Sequence, residues 1–170
     1  DWCPSRGLGD VYKRQVPKPN VEFEIEKGND AAIVSSVIKN IYNHLEKNKY
    51  KAVIFLGDTN TVMGSIAVAQ HNIPIVHIEG CMRSYDWRMP EEKYRTTIDH
   101  LSDRIYAYLD EYKNQGLKEG ISEQIIKVTG NPIVDIINEN KNLFESGDQF
   151  LSQEISKLIE KDDFLLATVH

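Results

Sequence analysis

The sequence predicts an α/β fold, a Rossmann-like and mostly parallel sheet flanked by helices. Two observations carry that expectation. Short, continuous apolar runs recur along the chain, as strands covered on both faces require. Between them lie segments whose apolar residues are spaced at three and four, the period of an amphipathic helix. A chain of 170 residues buries roughly 70% of its unfolded surface, enough for a single such core.

Each element follows in order. Asp1–Gln15 has neither period, and Ser5–Gln15 resembles translated adapter sequence, so residues 1–15 are expected to be a non-native or disordered leader. Asn29 or Asp30 caps a helix carrying Ile33, Val34, Val37, Ile38, Ile41 and Leu45. Ala52–Leu56 is a strand, and Thr59 or Asn60 caps a helix through Val62, Ile66 and Ala69. Ile73–Ile78 is the next strand, with Pro74 tolerated at its start. Pro90 opens a helix, and Glu91 and Glu92 in its first turn favour the positive end of the dipole. Arg104–Tyr108 and Gln124–Val128 are strands enclosing a helix from Asp110 to Glu119 that Gly120 ends, and Asn131-Pro132 opens a further helix. The polar stretch Glu139–Gln153 reads as a linker, and Phe164–His170 as a buried strand that lacks the crossover a parallel strand needs. The expected organisation is a leader over 1–15, a partial N-terminal Rossmann-like domain over 16–146, and an interdomain segment with the first strand of a truncated second domain over 147–170.

Composition removes several functional classes. With 26 acidic against 20 basic side chains the net charge is −6, which lacks the basic footprint of a nucleic-acid binder. No apolar run approaches the ~18 residues of a membrane span, and two cysteines are too few for a disulfide framework, so a cytoplasmic protein is expected. Gly7-Leu8-Gly9 lacks the third glycine and preceding strand of a dinucleotide fingerprint, and neither a phosphate-binding P-loop nor a G-x-S-x-G nucleophile elbow occurs. A phosphorylation receiver domain would need an acidic pair after its first strand and a lysine after a later one, and neither is apparent.

Ligands of open parallel sheets bind beyond the carboxyl ends of the strands. Asp58 and Glu79 stand there, each directly after an apolar run. Asp58 also suits a helix cap, whereas Glu is a poor residue at a strand end unless it faces a partner or ligand. Arg83, Asp86, Arg88, Glu91 and Glu92 crowd the loop and helix start that follow, as in many acid/base sites; Glu91 and Arg95, four apart, also suit a surface ion pair. His77 alternates with Glu79, but without a His-x-x-x-His, a cysteine pair or an acidic loop no metal is expected, and His77 reads as a hydrogen-bonded strand residue.

Taken in order, Gly57-Asp58-Thr59-Asn60, His77-Ile78-Glu79-Gly80-Cys81-Met82-Arg83-Ser84, Met89-Pro90-Glu91-Glu92-Lys93-Tyr94-Arg95, Asp99-His100-Leu101-Ser102-Asp103 and Val128-Thr129-Gly130-Asn131 resemble the UDP-N-acetylglucosamine 2-epimerase family. The resemblance implies the first part of a GT-B fold of two Rossmann-like domains, with the nucleotide sugar in the cleft between them. It implies catalytic carboxylates at Asp58, Glu79 and Glu91, with Asp58, Glu79, Arg83 and His170 binding substrate; Arg83 would hold the active-site loop or a phosphate. It also implies no cofactor, UDP-N-acetylglucosamine as the small-molecule partner, and a homodimer when complete. The implied reaction is reversible epimerisation at carbon 2 to UDP-N-acetylmannosamine, by elimination and re-addition of UDP, in cell-surface polysaccharide biosynthesis. The alternatives are a hydrolysing 2-epimerase that releases N-acetylmannosamine and UDP, and a non-catalytic sugar-nucleotide-binding or dimerisation fragment. Two departures stand out: Gly80-Cys81 replaces the family's Ala-Gly, and its opening Gly-Thr-Arg-Pro-Glu motif has no counterpart here.

Overall fold

Asn29 starts the first helix, α1 (Asp30–Leu45), because its extended backbone lets the side-chain oxygen accept from Ala32 N–H at 3.0 Å. The computed structural model describes residues 19–142 and 152–159, which belong to two units, Asp1–Thr129 and Gly130–His170. The leader over 1–15 and the strand expected at Phe164–His170 lie outside the described residues.

In the first unit, strands β1 (Val53–Leu56), β2 (Ile75–Ile78), β3 (Arg104–Ala107) and β4 (Ile126–Val128) form a parallel sheet in the order β1-β2-β3-β4. The register puts Phe55 opposite His77, His77 opposite Ile105, and Ile105 opposite Ile126. All four are buried, so one histidine sits within an otherwise apolar row. Each strand is shorter than its apolar run by one or two residues, because runs extend into turns that need apolar side chains but no ladder.

The connections carry the remaining elements. A 3₁₀ turn (Asn60–Gly64) leads directly into α2 (Ser65–Gln70), so the single helix expected here is two short pieces. Thr59 holds the cap position but its side chain makes no capping bond. Pro90 is the first residue of α3 (Pro90–Leu101), as its fixed φ favours. Helix α4 (Asp110–Lys118) ends just before Gly120, whose φ of +86° suits glycine.

Parallel strands that advance in one direction, joined by right-handed crossovers, put the helices that connect them on the same side of the sheet. Leu45 of α1, Val68 of α2 and Ile98 of α3 accordingly pack with Phe55 and Ile75 in one cluster. Tyr112 and Leu117 of α4 pack beside Ile105 and Ile126 in the other. The apolar run of β1 predicted cover on both faces; among the described residues only one face has it, and Ile54 and Leu56 are each 63% exposed.

In the second unit, Asn131 caps α5 (Pro132–Glu139) by accepting from Ile133 N–H at 3.0 Å, as Asn131-Pro132 predicted. Helix α6 (Gln153–Ile159) follows, after residues outside the described set. Among the described residues no helix is long and apolar enough to cross a membrane.

Candidate active site

The sheet brings two of the expected carboxylates to one edge. The ladder continues past β1 with Gly57 N–H donating to Ile78 O at 3.1 Å, and past β2 with Glu79 N–H donating to Tyr106 O at 3.0 Å. Asp58 and Glu79 thus leave adjacent strands at their carboxyl ends, where open α/β sheets bind ligands. A Cβ on Gly57 would lie only 3.5 Å from Glu79 Oε2, so the Glu79 carboxylate leans over the residue that precedes Asp58. Tyr108, just beyond β3, sits beside it: burial and then the Glu79 charge push its phenol above the ordinary value.

The backbone after Glu79 is held in conformations that L-residues avoid. Glu79 (φ 72°), Cys81 (φ 63°) and Tyr85 (φ 56°) are left-handed, at about 1–2 kcal/mol each. Glycine fits closely between the first two: a Cβ on Gly80 would meet Ile105 Cγ2 at 2.4 Å and Asp99 Oδ1 at 2.7 Å unless these side chains shifted. The side chain that the family's pattern lacks, Cys81, fits because α4 presents Gly116 to it; a Cβ there would lie 2.6 Å from Cys81 Sγ. Burial, followed by the Asp99 charge and opposed by Arg83, pushes the Cys81 thiol up to about 12.

A buried polar cluster holds this turn. Asp99, in the last turn of α3, accepts from Cys81 N–H at 3.0 Å, from Arg83 Nη1 at 2.7 Å and from the His77 ring at 2.7 Å. The other ring nitrogen of His77 donates to Gly57 O at 2.8 Å. Arg83 also donates to Met82 O and makes two bonds to Glu119, and its side chain is only 1% exposed. Its guanidinium is thereby engaged in holding the loop between β2 and α3. Burial opposes the charge on Arg83, and the bonds to Glu119 and Asp99 outweigh burial and raise its pKa.

The rest of the loop hangs on Glu92. This buried carboxylate accepts from Ser84 N–H, Ser84 Oγ–H and Tyr85 N–H, each at 3.0 Å. Burial raises its pKa, but the Ser84 and Tyr85 bonds and the Arg83 charge prevail and hold it below the ordinary carboxylate value. Arg95 does not pair with Glu91, as the four-residue spacing allowed. Its Nη2 donates to Asp58 Oδ2, and its Nη1 lies 3.9 Å from Glu92. Glu91 is exposed in the first turn of α3, with its carboxylate uncommitted to any described residue. His170 lies outside the described residues.

His77 gives both ring nitrogens to protein partners, and no described group of three or more His, Cys, Asp or Glu side chains is arranged to hold a metal. A cavity of about 600 Å³ on the flank of α3, lined by residues including Trp87, Lys93 and His100, touches none of the three carboxylates. Sequence reasoning assigned no role to Asp99 or Glu119, and placed Glu92 only in the charged helix start, not as the anchor of the loop. Asp99 stood inside a quoted motif, and that was its signal; Glu119, in a charged helix end, reads as ordinary surface.

Comparison with known proteins places this geometry in a family. Residues 5–170 match the family model for UDP-N-acetylglucosamine 2-epimerase. A UDP-N-acetylglucosamine 2-epimerase from Methanococcus maripaludis is 36% identical over 154 residues, covering 90% of this chain and 42% of the relative. The structure of UDP-N-acetylglucosamine 2-epimerase from Rickettsia bellii superposes with a TM-score of 0.74 at 28% identity, over 92% of this chain and 41% of that one. That of the Methanocaldococcus jannaschii enzyme in complex with UDP-GlcNAc and UDP superposes with a TM-score of 0.73 at 31% identity, over 88% and 40%. The chain thus spans less than half the length of the relatives it matches. With a parallel sheet, carboxylates at its strand ends and a family match along nearly the whole sequence, this chain belongs to the UDP-N-acetylglucosamine 2-epimerase family.

Proposed function

We propose that Asp58, Glu79 and Glu91 are the acid/base groups of an enzyme that inverts carbon 2 of UDP-N-acetylglucosamine. Inversion without a redox cofactor requires loss of the carbon 2 proton and cleavage of the bond between carbon 1 and the UDP oxygen. The electron pair of the C–H bond forms the carbon 1–carbon 2 double bond of a glycal, and UDP leaves with the pair of the C–O bond. Return of a proton to the other face of carbon 2, with re-addition of UDP at carbon 1, gives the manno epimer. Two faces need at least two proton-transfer groups, and carboxylates also stabilise oxocarbenium character at carbon 1.

The observation that carries this reading is the shared edge of Asp58 and Glu79, with the Glu79 carboxylate leaning over Gly57. Arg95 bonded to Asp58 supplies a fixed positive charge beside developing negative charge. Glu91, uncommitted at the helix start, is the third proton-transfer group. Arg83 serves by fixing the loop that connects these elements.

The test uses the chain completed to the length of its relatives. Incubated with UDP-N-acetylglucosamine in heavy water, it should place deuterium at carbon 2 while UDP stays joined to the sugar. An unlabelled product overturns elimination, and stoichiometric free UDP with N-acetylmannosamine overturns the reversible outcome in favour of hydrolysis. The 170-residue chain alone should not turn over, because binding energy from the remote UDP moiety normally positions the reacting sugar. Clear activity of the chain alone would contradict that dependence.

A further inference from the structure

We propose that Asp99 is a positioning residue for the Glu79 carboxylate, acting through the Cys81 amide and through His77. The proposal rests on the reading of Glu79 as an acid/base group. Asp99 is fully buried, and among the described residues the partners of its carboxylate, His77, Cys81 and Arg83, all lie in or next to the strand end that carries Glu79. Its Oδ2 takes Cys81 N–H and Arg83 Nη1, and its Oδ1 faces His77 Nδ1. An apolar side chain would fill this place in α3 at no desolvation penalty, so the buried carboxylate is explained by what it fixes.

What it fixes is the direction in which Glu79 points. Glu79 and Cys81 are both left-handed, and Gly80 between them is wedged against Ile105, Asp99 and His77. The Cys81 N–H bond to Asp99 holds one side of this reversal, and the bonds from Glu79 and Gly80 to Tyr106 O hold the other. Without the first, the strand end is free to relax to an ordinary extended conformation, and the carboxylate moves away from Gly57.

Donor and acceptor roles follow from the partners. Gly57 O can only accept, so His77 Nε2 donates to it. Asp99 already accepts from Cys81 and from the Arg83 guanidinium, so His77 Nδ1 donates to it as well. The His77 ring, donating from both nitrogens, thus ties Asp99 to the residue before Asp58, and His77, Asp99, Arg83 and Glu119 form one continuous run of hydrogen bonds. Networks of this kind specify one geometry when every member is satisfied.

A double-mutant cycle in the completed enzyme tests the proposal. D99N should lower kcat about 10²-fold with KM changed only a few-fold, the effect of misplacing a reacting group by about an ångström. In an E79Q background D99N should lower the residual rate by less than about three-fold, because its target is already gone. The same large factor in both backgrounds would mean that Asp99 merely supports the fold and would overturn the proposal. Nuclear magnetic resonance on the unsubstituted 170-residue chain decides independently of folding of the variant and of activity. The His77 ring should carry two N–H protons, and the Cys81 amide should exchange as slowly as the ladder amides of β2. A bare ring nitrogen, or a Cys81 amide exchanging like an exposed loop, would overturn it. Absence of turnover in the unsubstituted completed enzyme would count against the epimerase reading, with the resonance measurement still deciding for or against Asp99.

Discussion

Arg83 and Glu119 are joined by two parallel hydrogen bonds across 36 residues of sequence, Nε to Oε1 at 2.8 Å and Nη2 to Oε2 at 2.6 Å. The planar fork of a guanidinium makes this pairing possible, and its remaining nitrogen reaches Asp99. R83A leaves Asp99 and Glu119 without their cation and should destabilise the chain by about 3–5 kcal/mol. R83K keeps the charge but not the fork, so its loss should be clearly smaller than that of R83A yet measurable. Urea unfolding of the three chains checks this; equal stability of R83A and the unsubstituted chain would show that the pair contributes nothing.

Gly116 and Cys81 should be coupled. Alanine in a helix is favoured over glycine by about 1 kcal/mol, but at 116 its Cβ meets Cys81 Sγ at 2.6 Å. G116A should therefore destabilise by about 1–3 kcal/mol through overpacking. In a C81A background the sulfur is gone and the tightest remaining neighbour is Ile126 Cδ1 at 3.0 Å, so the G116A penalty should shrink clearly. A G116A penalty of the same size in both backgrounds would refute the contact as its cause.

The Cys81 thiol is pushed up to about 12 chiefly by burial, and the thiolate is the reactive form. In a chain carrying C3S, iodoacetamide at pH 8 should leave Cys81 unmodified until denaturant is added. Mass spectrometry before and after unfolding checks this, and rapid native modification would contradict the burial.

Glu92 gives the fold an acid sensitivity. Its folded pKa lies below its ordinary value of 4.5, so the folded state favours the charged form. The stability from that difference is complete above the ordinary value and is lost as pH falls through the depressed one. E92Q, which cannot ionise, should be less stable at neutral pH and should lose less stability on acidification. Unfolding curves from pH 7 downward measure both slopes; parallel pH dependence would remove Glu92 as a contributor.

Amide replacements test the acid/base assignment in the completed enzyme. D58N, E79Q and E91Q keep shape but lose proton acceptance, and each should lower turnover by about 10²–10⁴-fold. Near-unsubstituted turnover in all three would refute the assignment.

Much of the fold was legible because local signals agreed with the global arrangement. Asn29, Pro90 and Asn131 mark helix starts by chemistry that operates within one turn. The apolar runs of β1 to β4 needed only their length and their spacing by helices. Legibility ended where partners are remote. By spacing, Arg95 has two carboxylates within reach on its own helix, Glu91 and Glu92, and nothing local says that it turns to Asp58 37 residues away. Among the described residues β1 is covered on one face only, because crossover handedness, not the apolar run, decides which face the connecting helices take. The departure at Gly80-Cys81 became intelligible only with Gly116, which no pattern near residue 81 announces.

Strand order equal to chain order has a consequence for biosynthesis. Each new strand finds its neighbour already made, so the sheet can grow by accretion as the chain emerges, without waiting for a distant segment. The clamp on the Met82–Arg83 loop follows a different clock. Glu119 is translated 36 residues after Arg83, about 2–7 s later at ordinary elongation rates. Within that interval Asp99, the acceptor of the Cys81 amide, is already translated, and the fork to Glu119 is the last contact whose partner becomes available. Translation thus delivers the parts of the clamp in a fixed order, Asp99 for the Cys81 turn before Glu119 for the fork.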